Sequence, residues 1–344
     1  MRIHVKLLLL QIMLVFLPAL NSRISAQSMH KFPPTPEKPV VDLLHGIKLS
    51  DPYQWLEDKL DPEVQSWTRK QHDATVFALR STPEYPGLHE EIETYLDRDI
   101  LGPLFLKADR QFFYKKQKGD QQYKLYTSLD GKDIVIFDPH PLDGDGKASI
   151  SGIDFTEDAG IVAVGVQLKG DEISNHYLID TKTGKQLGDP VMGLRGFGFT
   201  KDGKKAYVAK ASRESLEKQE PIKTYLHKIG SDPSKDVFLN APRDAKDFVS
   251  FTDSRYSDLT FMFEGDFYSN TVSVKSISSK EEFKTIYSSK KSRAYPSAID
   301  NKIYFYTNDN APNFKIMVAD KANPEFANWK TLIPEKETVI EDFE

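Results

Sequence analysis

The stretch FTEDAG at residues 155–160 returns as FTKDGK at residues 199–204 and, more weakly, as FTDSR at residues 251–255. The same frame extends back to FLKADR at residues 105–110 and forward to PSAIDN at residues 296–301. An apolar run follows each copy. The five units have a period of about 45–50 residues, which is typical of the four-stranded blades of a β-propeller.

Polar Asp/Gly tips between apolar runs explain why such a repeat would form blades. At each tip one strand would end and the next would return antiparallel to it. A single blade cannot bury both of its faces, so neighbouring units must stack. A β-sandwich with accidental spacing is the alternative, but sandwiches usually turn every ~8–12 residues without a longer period. No helical period interrupts residues 99–344, which disfavours a parallel α/β sheet. The sequence therefore predicts an all-β fold, an incomplete β-propeller of about five blades.

Two helices are predicted upstream of the repeats. Asp61 can cap a helix that has Pro62 at its first position. A second start at residues 82–84 precedes one apolar face, formed by Leu88, Ile92, Tyr95 and Leu96. The Pro-rich lead of residues 31–39 is expected to be extended. Residues 27–98 are thus predicted to form an extended strap followed by two helices.

The first 26 residues have the pattern of a secretory signal peptide. Arg2 and Lys6 precede the apolar run of residues 7–17, which is shorter than the ~20 residues of a membrane span. The small residues before Gln27 suit a cleavage site. An uncleaved anchor helix is the alternative. We predict a secreted or periplasmic protein with no membrane segment after cleavage.

Composition excludes several classes of function. A formal net charge of -5, without any long run of like charges, argues against nucleic acid as a partner. The chain has no cysteine, which removes disulfides, thiol nucleophiles and thiolate metal sites. The sequence predicts a globular protein with a sizeable core.

A family resemblance begins in the strap. VVDLLHG at residues 40–46 and LSDPYQWLED at residues 49–58 resemble the N-terminal motif of the prolyl oligopeptidase family of serine peptidases. The likeness continues through PEVQSW at 62–67, YLHKIG at 225–230, SKDV at 234–237, TNDNAPN at 307–313 and WKTLIPE at 329–335. It therefore covers nearly the whole chain after the predicted signal.

The resemblance implies an architecture and an activity. In this family an α/β-hydrolase domain, built from both chain ends, is capped by a seven-bladed propeller that limits access, and the enzyme cleaves short peptides after proline. Residues 27–98 would then dock on a hydrolase domain that is missing here. Residues 99–344 would form about five of the seven blades. The implied partners are short proline-containing peptides and that hydrolase domain.

The family's Ser, Asp and His belong to the C-terminal hydrolase segment, and we expect this sequence to stop within the propeller. It contains no G-x-S-x-G, the motif whose sharp strand-to-helix turn exposes a nucleophilic serine. The prediction is that no catalytic residue lies in the chain and that the chain alone is inactive.

Few other candidate sites emerge. His45 precedes Asp51 by one loop, which would allow a general base near a carboxylate; packing of His45 and Trp55 against a host domain is favoured. DGDGK at residues 143–147 starts like an EF-hand calcium loop, but Lys147 takes the third ligand position, which favours a polar blade loop. The eight histidines lack metal-binding spacing. Neither a metal nor a cofactor is predicted.

Three functional interpretations stay open. The favoured one is the N-terminal, substrate-gating portion of a secreted prolyl oligopeptidase. A stand-alone secreted propeller that acts as a binding module is the alternative, and assembly with a separate C-terminal chain is the third. The strap favours the first, because it has no evident purpose without a hydrolase domain to receive it.

Overall fold

The structure, a computed structural model, describes residues 32–129, 131–341 and 343. The chain forms two compact units, which divide between Leu96 and Asp97. The predicted signal peptide of residues 1–26 lies outside the described residues. No helix in the described part of the chain is long and apolar enough to cross a membrane.

The first unit begins with a β-hairpin in the strap. Strand β1 (Val40–Leu44) pairs antiparallel with β2 (Ile47–Asp51). The turn residues His45 and Gly46 have φ angles of 52° and 81°, and two consecutive positive φ angles match the right-handed twist of hairpin strands. A 3-10 turn at Gln54–Glu57 follows.

The two predicted helices are confirmed as α1 (Pro62–Arg80) and α2 (Tyr85–Leu96). Asp61 caps α1 as expected, because its carboxylate accepts a hydrogen bond from the Glu63 amide at 2.6 Å. The Pro-rich lead lies along α1. Trp67 Nε1 of this helix donates to Thr35 Oγ1 at 3.2 Å, and Gln71 donates to the Pro33 carbonyl at 2.6 Å.

The second unit is built from antiparallel sheets. Its described residues form three sheets of four strands and one of seven, together with a short helix, α3 (Arg213–Glu217). The strands are β3 (Ile100–Lys107), β4 (Arg110–Lys116), β5 (Lys124–Leu129), β6 (Lys132–Phe137), β7 (Ala148–Phe155), β8 (Ile161–Leu168), β9 (Ser174–Asp180), β10 (Val191–Phe199), β11 (Lys205–Lys210), β12 (Lys223–Lys228), β13 (Val237–Asn240), β14 (Phe248–Asp253), β15 (Leu259–Gly265), β16 (Asn270–Ser276), β17 (Lys284–Ser288), β18 (Ala294–Ile299), β19 (Lys302–Thr307), β20 (Lys315–Asp320) and β21 (Lys330–Ile333).

These strands form the five predicted blades of a partial propeller. We number them blade 1 (β3–β6), blade 2 (β7–β9), blade 3 (β10–β13), blade 4 (β14–β17) and blade 5 (β18–β21). Each copy of the sequence repeat falls on the first strand of a blade and the hairpin that follows it. The all-β fold is therefore confirmed.

Blade 2 differs from the expected four-stranded unit. It has three strands, and β9 pairs with β10 of blade 3 at His176–Val191 and Ser174–Leu194, which joins both blades in the seven-stranded sheet. The tight turn after Asp180 and the proline at position 190, which has no amide hydrogen, leave only a short pairing where a fourth strand would lie.

The cores lie between neighbouring blades, as the stacking argument requires. One buried cluster joins Phe261 and Val272 of blade 4 to Ile303 and Phe305 of blade 5. A second joins Leu125 of blade 1 to strands of blade 2. Apolar packing therefore joins blade 1 to blade 2 and blade 4 to blade 5.

Candidate functional site

The hairpin tips after the first strands of the blades carry the repeat motif, and their hydrogen bonds explain it. In FTEDAG, the Thr156 hydroxyl donates to Asp158 at 2.7 Å and accepts from the Ile161 amide at 3.0 Å. The Asp158 carboxylate also accepts from the Gly160 amide at 2.9 Å. The hydroxyl and this amide hold the pKa of Asp158 below its usual range. FTKDGK repeats the arrangement, so the Thr-x-Asp pattern encodes a rigid tip.

Charged side chains on three of these tips meet at Glu157. Arg255 Nε of blade 4 lies 3.2 Å from Glu157 Oε2, and Lys107 Nζ of blade 1 lies 3.9 Å from the same oxygen. We call Lys107, Glu157 and Arg255 the tip cluster. Glu157 and Arg255 are 47% and 59% exposed, so each ion pair stabilises the fold by only about 0–1 kcal/mol and is screened by salt. The tip cluster can therefore open at small cost.

Hydrogen bonds between neighbouring blades support the tips. The Arg110 guanidinium of blade 1 donates to the Thr181 carbonyl beside blade 2 at 2.9 Å. The Ser254 hydroxyl of blade 4 donates to the Ala298 carbonyl of blade 5 at 3.0 Å. A gap of about 390 Å³ separates the tips of blades 2 and 3. The tips thus form a polar surface that carries exposed charged side chains, and hydrogen bonds between blades hold the tip backbones in place.

His45 does not form a catalytic pair with Asp51 in the structure. His45 is exposed at the hairpin turn, whereas the Asp51 carboxylate accepts from the Tyr53 amide at 2.8 Å. Trp55 packs within the first unit: its Nε1 donates to the Pro36 carbonyl at 3.0 Å, and its ring meets Trp67 edge-on.

The segment of residues 143–147 forms a turn in which the Asp143 carboxylate accepts the amides of Asp145 and Lys147. The Lys147 ammonium lies 3.4 Å from Asp145, where a cation ligand would otherwise point. Among the residues that the structure describes, no three His, Cys, Asp or Glu side chains are grouped as a metal site.

A buried polar cluster on blade 3 was missed by sequence reasoning. His227 Nδ1 lies 2.7 Å from Asp236 Oδ1, and Lys210 Nζ lies 2.7 Å from Asp236 Oδ2. His227 and Asp236 are almost wholly buried, and Lys210 also donates to the Pro233 carbonyl. The three groups fasten the loop before β13 to the blade. Their separation in sequence gave no signal of this cluster, although His227 and Asp236 lie in segments that carry the family resemblance.

Histidine, serine and aspartate contacts in the described residues do not assemble into a set of three. Ser174 Oγ lies 3.4 Å from His176 Nδ1, but the His176 ring is stacked on Phe197, and burial lowers its pKa to about 4. His140 Nδ1 lies 2.7 Å from Asp138, while its Nε2 accepts two backbone amides. Each contact is thus occupied by structural partners and lacks the nucleophile–base–carboxylate chain of a serine hydrolase.

The first unit exposes apolar side chains on both the hairpin and α2. On the hairpin, Val41, Leu43 and Ile47 are exposed, and on α2 the predicted apolar face of Leu88, Ile92, Tyr95 and Leu96 is exposed as well. Large exposed apolar side chains grouped on one element can mark an interaction site. We call this set of residues the strap surface.

The chain matches one family model, described as "Prolyl oligopeptidase, N-terminal beta-propeller domain", over residues 33–344. The prolyl endopeptidase of Elizabethkingia meningoseptica is 24% identical over 332 residues, which cover 92% of this chain and 47% of that protein. Prolyl oligopeptidase A of Amanita bisporigera is 24% identical and covers 84% and 43% of the two chains. This chain therefore spans about half the length of the curated relatives that it matches.

Solved structures agree with the fold. A structure from an analysis of two prolyl endopeptidases is 25% identical with a TM-score of 0.78, over 89% of this chain and 47% of that one. Prolyl oligopeptidase B from Galerina marginata, bound to a 35-residue hydrolysis and macrocyclization substrate, is 20% identical with a TM-score of 0.74, over 90% and 48% of the chains. At this identity the second likeness concerns the fold alone.

Proposed function

The chain belongs to the prolyl oligopeptidase family, of which it contains the N-terminal β-propeller domain, and on that premise we propose that it is the substrate-gating portion of a secreted serine endopeptidase that cleaves short peptides after proline. The observation that carries this proposal is the match over residues 33–344, combined with coverage of only about half of each relative. Catalysis would then come from an α/β-hydrolase domain outside this chain.

The strap surface supports a docked domain. Exposed apolar side chains on both the hairpin and α2 would be buried by a partner of matching shape, and burial of each such side chain stabilises an interface by about 1.5–3 kcal/mol. The fragment interpretation supplies that partner, whereas a stand-alone binding module leaves the surface without a role.

The tip cluster supports a gate. Exposed ion pairs join the tips of three blades and break at small cost in free energy. They can therefore restrict the entry of peptides into the complete enzyme and still open for them. In the complete enzyme, Glu157→Gln and Arg255→Gln should change the ratio of kcat/KM for long and short prolyl peptides and leave thermal unfolding unchanged. Lys204→Gln, on a neighbouring tip outside the cluster, is the matched control.

Reading the coding sequence beyond residue 344 tests the proposal directly. An in-frame continuation with a serine between glycines, followed by Asp and His, is expected. Unrelated sequence after a native stop would refute the proposal and favour the binding module.

Secretion is a separate part of the proposal and rests on the charged, apolar and small-residue pattern of residues 1–26. N-terminal sequencing of the exported protein should begin at Gln27. A protein that retains Met1 and stays in the cytoplasm would refute it.

A further inference from the structure

A cleft of about 450 Å³ opens between blades 3 and 4. Its floor is aromatic: the ring centroid of Tyr207 on β11 lies 5.4 Å from that of Phe251 on β14, which lies 5.6 Å from Phe283. Leu226 and Leu239 of blade 3, with Ile277 after β16, complete the apolar lining. Small-molecule sites have this composition, a mostly apolar concavity with a few polar groups.

The carboxylates in the cleft are already occupied by internal donors. Asp253 accepts from the Tyr207 hydroxyl at 2.9 Å, the Thr260 hydroxyl at 2.6 Å and the Lys201 amide at 2.9 Å. Asp202 accepts from the Thr200 hydroxyl and the Lys204 amide. Burial and the neighbouring Asp253 charge raise the pKa of Tyr207, which keeps its hydroxyl protonated as a donor. The acidic groups therefore have little capacity left for a cationic ligand.

The lysine ammonium groups in the cleft, unlike its carboxylates, have few internal hydrogen-bond partners. Lys205 on β11 and Lys275 on β16 line it from opposite blades, and in the described residues no carboxylate lies within ion-pair distance of either, although the Lys205 charge does act on the Asp202 carboxylate. Lys275 Nζ lies 4.7 Å from the Phe283 ring centroid. The third lysine, Lys201, donates to the Ser257 carbonyl at 2.6 Å. Two ammonium groups without a close ion-pair partner thus lie beside the aromatic floor, where an anionic ligand can reach them.

We propose that this cleft binds a small amphipathic anion, an aryl carboxylate. The ring would pack against Tyr207, Phe251 and Phe283, and the carboxylate would meet the ammonium groups of Lys205 and Lys275. Because the floor and the lysines come from both blades, an occupied cleft would tie blade 3 to blade 4. The lining of this cleft does not include Lys107, Glu157 or Arg255 of the tip cluster.

Calorimetric titration of the full chain with 1-naphthoate tests the proposal, with 1-naphthalenemethanol as the uncharged probe of similar size. Naphthoate should bind at least about tenfold more tightly than the alcohol, because only the acid can use both lysines. Lys205→Gln and Lys275→Gln should each weaken naphthoate roughly threefold to tenfold, as expected for partly exposed charge pairs. Lys223→Gln, an exposed lysine on β12 of blade 3 outside the lining, should change the affinity less than about twofold.

Hydrogen exchange with and without naphthoate locates the bound probe and does not require a variant to fold. Added protection should appear in β11, β14 and the segment around Phe283. Failure of naphthoate to bind, equal binding of the alcohol, or unchanged affinity in the Lys205→Gln/Lys275→Gln double variant would overturn the proposal. Protection confined to the strap surface would also overturn it.

Discussion

Replacement of Phe305 tests whether blades 4 and 5 share one core. Phe305 on β19 has no exposed surface, and its ring centroid lies 3.5 Å from that of Trp329. Trp329 in turn stacks on Tyr287 of blade 4 at 5.4 Å. Phe305→Ala removes the inner ring of this stack, and a buried Phe→Ala change costs about 3–5 kcal/mol of unfolding free energy.

The chain offers a specific fluorescent reporter for this change. It has three tryptophans, of which Trp55 and Trp67 lie in the first unit and Trp329 lies in the second. In a Trp55→Phe/Trp67→Phe background, urea unfolding followed by tryptophan fluorescence reports on the propeller alone. At about 3 kcal/mol per molar urea, the expected loss moves the midpoint down by about 1–2 M.

Phe267→Ala is the matched control, because this phenylalanine is 71% exposed. Its unfolding free energy should change by less than about 0.5 kcal/mol. A midpoint shift for Phe305→Ala no larger than that of Phe267→Ala would refute the shared core and the stacked-blade reasoning behind it.

Three further predictions concern pH, capping and self-association. Burial lowers the pKa of His176 from 6.5 in the unfolded chain to about 4 in the folded one, so the unfolding free energy should fall by up to about 3 kcal/mol as pH drops from 6.5 towards 4. The urea midpoint measured against pH should therefore decline over this range, and His176→Phe should flatten the decline. An unchanged slope in His176→Phe would contradict this prediction. Asp61→Ala should destabilise α1 by about 1 kcal/mol by native-state hydrogen exchange, whereas Asp61→Asn should not; equal effects would exclude the cap. We expect the exposed face of blade 1 to promote self-association, so Leu104→Lys should lower the weight-average sedimentation coefficient at high protein concentration relative to the unchanged chain; equal coefficients would contradict this.

Much of the fold could be predicted from local chemistry. The hairpin tips could be predicted from the Thr-x-Asp repeat. Thr156 and Asp158 form hydrogen bonds with each other and with nearby amides, so the motif specifies its own turn. The start of α1 could be predicted for the same reason, because the capping residue Asp61 and the first helical residue Pro62 are adjacent in sequence. The period of the repeat then identified the blades.

Features that depend on distant partners could not be predicted. The pairing of β9 with β10, which joins blades 2 and 3, depends on where Val191 meets His176 in space. The burial of His227 with Asp236 and Lys210 likewise depends on how β11, β12 and the following loop converge. The turn at His45 and Gly46 was missed because a strap without helical or alternating pattern gives no strong hairpin signal.

We propose that the side chains that cleave the peptide bond lie outside this chain. Incubation of the purified full chain with a chromogenic prolyl amide tests it most directly. We expect no release of the chromophore above the buffer rate. Turnover that a serine-directed inhibitor abolishes would contradict it.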